Sequence, residues 1–164
     1  YAVTGNHDAQ KPGEYSSEQV RKYLTPYLPH IIDNKKVDIV LAKNGIPIRI
    51  IGLSDLWEGR INYTLLQKKK NTDPFTIVIS HNPDTAFKLK EGTKVDLFVA
   101  GHTHGGQIRL PFIYKWVIPT EYDFDRGWYE VIGNKVYVTS GAGEVGLPMR
   151  FLVPPEVVIL DIKF

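Results

Sequence analysis

Histidines follow three apolar segments of this chain, each directly after the segment ends. His7 lies in a Gly-Asn-His-Asp turn and His81 lies in Ser-His-Asn-Pro-Asp. His102 and His104 share the turn Gly-His-Thr-His-Gly-Gly. Neutral imidazole is a common ligand of divalent first-row metals. Because ligands bind at the carboxyl ends of strands in open α/β sheets, neighbouring strands would bring these turns together. The pattern therefore favours a metal site.

Each turn also has a structural interpretation when it is taken alone. Gly, Asn and Asp are ordinary turn formers, so the turn around His7 is also typical of a polar loop. Asn82 is placed to cap a helix that Pro83 begins, which would leave His81 incidental. The glycine-rich turn with two histidines is harder to explain by packing. The recurrence of all three turns at predicted strand ends favours a functional site; His30, in a proline-rich segment, is assigned no role.

The predicted elements alternate between strands and helices early in the chain and form hairpins later. The predicted strands are Tyr1–Thr4, Val37–Ala42, Ile46–Leu53, Thr76–Ser80, Val95–Ala100, Tyr129–Ile132, Lys135–Thr139 and Glu156–Lys163. One helix is predicted over Ser16–Tyr27, with a capping box from Ser16 to Gln19, and another from Pro83 to near Gly92. Asn44-Gly45 and Gly133-Asn134 are typical hairpin turns. This order predicts a mixed α/β layered fold.

Composition narrows the function classes. A length of 164 residues suits a single domain over residues 1–164, and a net charge of +2 is too small to indicate a nucleic-acid partner. The absence of cysteine excludes disulfides and thiolate metal ligands. No apolar run reaches the roughly 20 residues that span a bilayer. The only basic cluster, Lys68–Lys70, is more typical of a solvated element end than of a membrane or phosphate patch.

The order of the three histidine turns resembles that of the calcineurin-like metallophosphoesterases. Further segments resemble a bacterial branch of often membrane-associated phosphodiesterases, which includes enzymes similar to the UDP-2,3-diacylglucosamine pyrophosphatases. Those segments are Gly52–Trp57, Ser140–Gly143, Pro148–Phe151 and Pro154–Glu156. The resemblance implies a four-layer α-β-β-α sandwich and a metal-dependent phosphoesterase, of phosphodiesterase or pyrophosphatase type. It also implies a cytoplasmic or membrane-associated protein, although the sequence itself does not identify the compartment.

The resemblance also implies a pair of divalent ions. Asn6, His81 and His102 match three ligands of the second metal, and His104 matches a ligand of the first. Since the ligands are nitrogen and oxygen atoms, Mn, Fe or Zn is favoured over Mg.

A general acid is implied by the same resemblance. His7 matches the histidine that protonates the leaving oxygen, and Asp8 matches the partner that fixes its tautomer. A simple turn cap is the alternative role for Asp8.

The family also has an Asp-x-His motif and a Gly-Asp motif, whose carboxylate bridges both metals, before Gly-Asn-His-Asp. Neither motif occurs in this chain. We therefore expect this chain to be the C-terminal part of an enzyme, with the early strands missing and no activity on its own. The alternatives are a non-catalytic scaffold with the same fold, a structural metal-binding domain, and a natural fragment that completes its site with another chain.

The substrate is expected to be a phosphorylated small molecule or a lipid-linked phosphoester. Leu110–Pro119 is apolar and aromatic, which is typical of a lid or of a lip in contact with a membrane surface. A loop that packs onto its own sheet is the alternative, and it is the favoured one. Arg109 and Arg150 are candidate contacts for a phosphate or carboxylate, against a default of surface arginines.

Overall fold

The computed structural model describes residues 1–9, 17–28, 30–42, 45–67 and 70–164. The strands are β1 (Lys35–Val40), β2 (Pro47–Gly52), β3 (Phe75–Ile79), β4 (Leu97–Ala100), β5 (Gly127–Val131) and β6 (Asn134–Val138). The α-helices are α1 (Asn6–Ala9) and α2 (Ser17–Leu24). Short 3-10 helices cover Tyr63–Leu65, Pro83–Lys88, His104–Gly106 and Tyr114–Val117.

The six strands form one mixed sheet in the order β1-β2-β3-β4-β6-β5. The four central strands β2, β3, β4 and β6 run parallel, whereas β1 and β5 pair antiparallel at the two edges. The predicted α/β class is confirmed, and the sheet is consistent with a metallophosphoesterase fold. The described residues contain no second sheet of the four-layer sandwich. Parallel pairing places the carboxyl ends of the four central strands at one edge.

Apolar side chains cover both faces of the sheet because successive residues of a strand point to opposite sides. On β3, Ile77 packs with one hydrophobic cluster and Val78 is buried in the other. On β2, Ile50 and Ile51 divide in the same way. Near-continuous apolar strands of this kind are typical of parallel strands buried on both faces. This packing holds the strand ends rigidly beside one another.

The predicted strand Tyr1–Thr4 is wrong as an extended strand. The segment forms a single bridge, between Ala2 and Ile31. It is held instead by Asp33, whose carboxylate accepts hydrogen bonds from the Thr4 backbone N–H at 2.8 Å and the Thr4 hydroxyl at 2.7 Å. Arg21 makes an ion pair with the same carboxylate at 2.6 Å. A buried, fully paired carboxylate therefore replaces strand pairing as the anchor of the following Gly-Asn-His-Asp turn.

The predicted terminal strand Glu156–Lys163 is also wrong for the structure as described. The segment belongs to no strand, and Val157 and Ile159 are 91% and 93% exposed. Its start is anchored by the Glu156 carboxylate, which accepts the Ser140 backbone N–H at 2.8 Å. Apolar alternation predicts a strand only where a partner strand offers backbone groups to pair with.

The remaining element predictions are confirmed in outline. Both hairpins form, although Asn44 of the first turn lies outside the described residues. Pro83–Lys88 is a 3-10 helix shorter than predicted, and the predicted Asn82 cap accepts the Asp84 N–H at 2.9 Å. The first predicted helix is shorter too, and its proposed cap Ser16 lies outside the described residues, as do Lys68 and Lys69. In the part of the chain that the structure describes, no helix is both long and apolar enough to cross a membrane.

Candidate metal centre

The carboxyl ends of β3 and β4 bring two of the predicted ligands together. His81 lies two residues after β3 and His102 two residues after β4. Asn6 reaches the same point from α1. Gly5 makes this approach possible, because a Cβ at Gly5 would lie 2.8 Å from the His81 ring. The three residues predicted to share one metal therefore meet at one edge of the sheet.

Three donor atoms are in direct contact at this edge. The Nε2 atom of His81 lies 2.9 Å from Oδ1 of Asn6 and 3.0 Å from Nδ1 of His102. A neutral ring nitrogen carries either one hydrogen or one lone pair, so Nε2 of His81 does not make two good hydrogen bonds in this arrangement. Atoms bound at about 2.1 Å to a common metal lie roughly 3 to 3.5 Å apart. The donor set thus fits a divalent cation better than a hydrogen-bonded cluster.

The amide of Asn6 is essential to this fit. Among the residues that the structure describes, no group of three or more His, Cys, Asp or Glu side chains is placed to hold a metal. Two imidazoles and one amide oxygen form an incomplete ligand set for a four- to six-coordinate ion. Further ligands are required to complete it.

Burial keeps both imidazoles neutral. Desolvation lowers the pKa of His102 to about 4, and the neighbouring His81 adds to the effect. Desolvation also lowers the pKa of His81, against the opposing charges of Asp55 and Asp8. Neutral imidazole is the form that binds metal. At neutral pH both rings therefore present a lone pair without first losing a proton.

The backbone of the His-rich turn is strained. His102 and His104 have φ values of 68° and 50°, in the left-handed region that residues other than glycine rarely adopt. Gly105 follows with φ 60°, and a Cβ there would lie 2.8 Å from Ser140 and Val153 side-chain atoms. Strained backbone persists where the surrounding structure enforces it, and it clusters at functional sites. This is independent support for a site at this turn.

His104 is oriented by the loop that follows β6. Its Nδ1 lies 3.0 Å from the backbone carbonyl oxygen of Gly143, and so carries the proton that this contact requires. That bond leaves Nε2 as the lone-pair nitrogen, in the manner of an oriented metal ligand. The structure does not bring His104 into the three-atom contact. The pKa of His81 and of His102 is lowered first by burial and, to a lesser extent, by the nearby His104.

Arg109 and Arg150 hold the His-rich turn in place. Arg150 donates to the carbonyl oxygens of His104 at 3.2 Å, Ser140 at 2.8 Å and Gly143 at 2.5 Å. Arg109 donates to the carbonyl of Gly105 at 2.9 Å. The default interpretation of both as surface arginines is therefore wrong, since each side chain is engaged in supporting the loop.

His7 and Asp8 lie in α1, beside Asn6. His7 is exposed, as a residue that meets a leaving group must be, and its charge affects the pKa of His81. The Asp8 carboxylate accepts the Gly5 N–H at 3.0 Å, which is the turn-cap arrangement. The roles of His7 as general acid and of Asp8 as its partner stay predictions.

Much of the apolar segment after the His-rich turn is exposed, which goes against the favoured interpretation of a loop packed onto its own sheet, whereas Ile118 near its end is buried. Phe112 is 94% exposed and Trp116 is 84% exposed. A cavity of about 200 Å³ lies between this segment and the later loop, with His104 at its wall. Its apolar lining includes Ile108, Val117 and Leu147. An apolar chamber therefore adjoins one of the predicted metal ligands.

Asp55 is the site residue that the sequence reasoning missed. It lies three residues after β2, at the same edge of the sheet, and is 1% exposed. The signal that identified His81 and His102, a polar residue just beyond an apolar strand, also applies to Asp55.

Comparison with known proteins identifies the family of this chain. The family model described as calcineurin-like phosphoesterase matches residues 1–106. The chain belongs to this family, whose members use divalent metals. No solved structure gives a significant match to the chain.

Several curated relatives match almost the whole chain. An uncharacterized metallophosphoesterase of Bacillus subtilis (strain 168), YkuE, is 34% identical over 163 residues, which cover 98% of this chain and 55% of that protein. An uncharacterized metallophosphoesterase of Aquifex aeolicus (strain VF5) is 32% identical over 170 residues, covering 99% of this chain and 60% of that protein. The phosphodiesterase YaeI of Escherichia coli (strain K12) is 26% identical over 163 residues, covering 99% and 57%. The chain thus spans a little over half the length of these relatives.

Proposed function

We propose that this chain is part of a metal-dependent phosphodiesterase or pyrophosphatase that hydrolyses phosphoester bonds. The observation that carries the proposal is the contact of Asn6 Oδ1, His81 Nε2 and His102 Nδ1 at 2.9 and 3.0 Å. Membership of the family and the phosphodiesterase name of one relative support it. A non-catalytic scaffold with the same fold is the alternative.

The complete enzyme holds a pair of divalent ions, Mn, Fe or Zn. Asn6, His81 and His102 hold one ion, and Nε2 of His104 binds the other. The remaining ligands come from the Asp-x-His and bridging aspartate motifs of the family, which this chain lacks. On this proposal residues 1–164 belong to a single phosphoesterase domain. With these four ligands alone we expect no turnover.

The protein side chains divide the chemistry between them. When bound, the ions supply an acidified water as nucleophile and neutralise charge on the phosphoryl oxygens. His7, exposed beside the donor atoms, gives its proton to the leaving oxygen as the phosphorus–oxygen bond breaks. Burial keeps His81 and His102 neutral, so these two rings bind and do not transfer protons.

A phosphorylated substrate with an apolar part fits the surroundings best. The apolar cavity beside His104 accommodates a hydrocarbon segment while the phosphate reaches the donor atoms. The exposed Phe112 and Trp116 form a lip suited to a membrane surface. These features support a lipid-linked substrate, as in the pyrophosphatase-like branch that the sequence resembles.

Metal content and turnover test the proposal. Elemental analysis and hydrolysis of bis-p-nitrophenyl phosphate in Mn²⁺ are measured on this chain and on a form extended upstream. Two metals and turnover in the extended form alone are expected. The variant His102→Ala in the extended form should lose metal and turnover together, because it removes a buried donor. Absence of metal and turnover from both forms would establish the scaffold alternative.

A further inference from the structure

Asp55 lies beside the candidate metal centre through the pairing of β2 with β3. The parallel ladder continues past the last paired residues, since Leu53 donates its backbone N–H to the carbonyl of Ile79 at 2.9 Å. Extended in the same register, with Gly52 opposite Ile79, the two chains place Asp55 opposite Asn82, the residue that follows His81. Neighbouring parallel strands lie about 4.8 Å apart, so Asp55 lies at the same edge of the sheet as the turn that carries His81.

The two carboxylate oxygens of Asp55 have different surroundings. Oδ1 accepts the backbone N–H groups of Trp57 at 2.8 Å and Glu58 at 3.0 Å. Oδ2 is buried and makes no hydrogen bond to any described residue. Hydrogen bonds therefore compensate the burial of only one of the two oxygens, and Oδ2 is left with its partner to be explained.

The other buried carboxylates that the structure describes, Asp33 and Asp84, are paired at both oxygens, which makes Asp55 the exception to explain among the described residues. Asp33 accepts two hydrogen bonds from Thr4 and an ion pair from Arg21. Asp84 accepts the Thr120 hydroxyl and the Glu121 N–H on separate oxygens. A buried polar atom left without a partner marks either stored strain or a ligand site.

Two observations link Asp55 to His81 and His102. Its negative charge raises the pKa of both His81 and His102, against the larger effect of burial. In the turn that Oδ1 holds, the Trp57 ring meets the His102 ring edge-on, with centroids 4.5 Å apart and planes at 87°. Asp55 therefore acts on the same ring through charge and through packing.

We propose that Asp55 is a positioning residue of the metal centre, whose Oδ1 holds the Trp57 turn against His102 and whose free Oδ2 supplies buried negative charge for the cation. This rests on the proposed function, since it needs a cation at Asn6, His81 and His102. Asp55 acts from outside the ligand set, because it forms no three-residue metal group with the histidines in the described part of the chain. Carboxylates that support ligands in this way change metal affinity by 10- to 100-fold.

The variant Asp55→Asn tests the role of the negative charge without disturbing the turn. The amide oxygen of asparagine still accepts the Trp57 and Glu58 N–H groups, so the turn is kept while the charge is lost. Asp55→Ser is the second variant, because a serine hydroxyl supports the same kind of turn without charge. Asp96→Asn is the matched control. Asp96 also accepts a backbone N–H, from Thr76 at 2.7 Å, but precedes β4 at the opposite edge of the sheet.

Zn²⁺ and Co²⁺ binding to the metal-stripped, full-length protein is measured by calorimetry, alongside thermal unfolding of each variant. Asp55→Asn and Asp55→Ser should bind 10- to 100-fold more weakly than the unmodified protein, with unfolding temperatures close to its own. Asp96→Asn should bind as the unmodified protein does. Equal affinity in all proteins would overturn the proposal and reduce Asp55 to a turn cap. An unmodified protein that binds no metal would overturn the proposed function and this inference with it.

Discussion

At the scale of single residues, the centre separates groups that bind from a group that transfers a proton. His81 and His102 are withdrawn from solvent and kept neutral, as metal ligands should be. His7 stands exposed on the same side, one residue from Asn6. An exposed side chain is able to reach the leaving oxygen of a substrate, whereas a buried ring contacts only the groups around it in the site.

Replacement of His7 by alanine should therefore reduce turnover far more than metal content. A general acid contributes about 10²- to 10⁴-fold to rate, so turnover of a phosphodiester should fall by that factor in the extended protein. Elemental analysis should show unchanged metal. His30→Ala is the matched control, because His30 is also exposed but lies in another segment. Loss of metal in step with loss of turnover would instead make His7 a ligand.

At the scale of elements, the His-rich turn depends on a clamp built from Arg109 and Asp125. Arg109 makes an ion pair with Asp125 at 3.0 Å while it donates to Gly105 within the turn. Asp125 also accepts hydrogen bonds from Arg126 N–H at 2.6 Å and Tyr129 O–H at 3.0 Å. Burial by itself would raise the pKa of Asp125, but these donors and the charge of Arg109 together hold it below the usual value.

The clamp predicts a pH-dependent stability difference. A carboxyl whose pKa is lowered by folding stabilises the native state above its unfolded pKa of about 3.9, and that contribution is lost as pH falls through the lower folded value. Asp125→Asn should lower the free energy of unfolding by about 1 to 3 kcal/mol at pH 7. The difference in free energy of unfolding between the unmodified protein and Asp125→Asn should become smaller below about pH 3.9. Urea unfolding from pH 7 down to pH 2.5 measures this.

Asp161→Asn serves as the control for that series, because Asp161 is an exposed carboxylate in the terminal segment. The free energy of unfolding of Asp161→Asn should differ little from that of the unmodified protein across the same pH series. If Asp125→Asn is destabilised by the same free energy of unfolding at pH 2.5 as at pH 7, the Asp125 side chain stabilises the protein through packing and not through its charge.

At the scale of the whole molecule, the exposed lip formed by Phe112 and Trp116 departs from ordinary surface composition. Phe112, Trp116 and Val117 are exposed together on one segment beside the apolar cavity. Exposed apolar patches of this kind mark interaction sites.

The double variant Phe112→Ser and Trp116→Ser should weaken binding to vesicles that contain anionic lipid, because the two rings supply the apolar area that enters the interface. Co-sedimentation with vesicles measures this on the extended protein, and thermal unfolding checks its integrity. Tyr27→Ser is the control, since Tyr27 is an exposed aromatic on a separate segment. Unchanged vesicle binding together with lost stability would show that the rings are packed in the intact protein.

The sequence by itself determined the histidine turns, the strands before His81 and His102, the hairpins and the family. These features are local, because the residue types of a turn and the apolar runs beside it act over a few positions. Asn82 illustrates the point, since its cap was predicted from its neighbour Pro83 and was found as expected.

Only the tertiary structure decided which residues meet across the sheet. The contact of Asn6 with His81 joins positions 75 residues apart. The hydrogen bond from Arg150 to the His104 carbonyl joins positions 46 residues apart. It also decided that Glu156–Lys163 has no strand partner in the described chain and that Oδ2 of Asp55 is buried without one. Burial and pairing depend on groups distant in sequence, so local patterns carry no information about them.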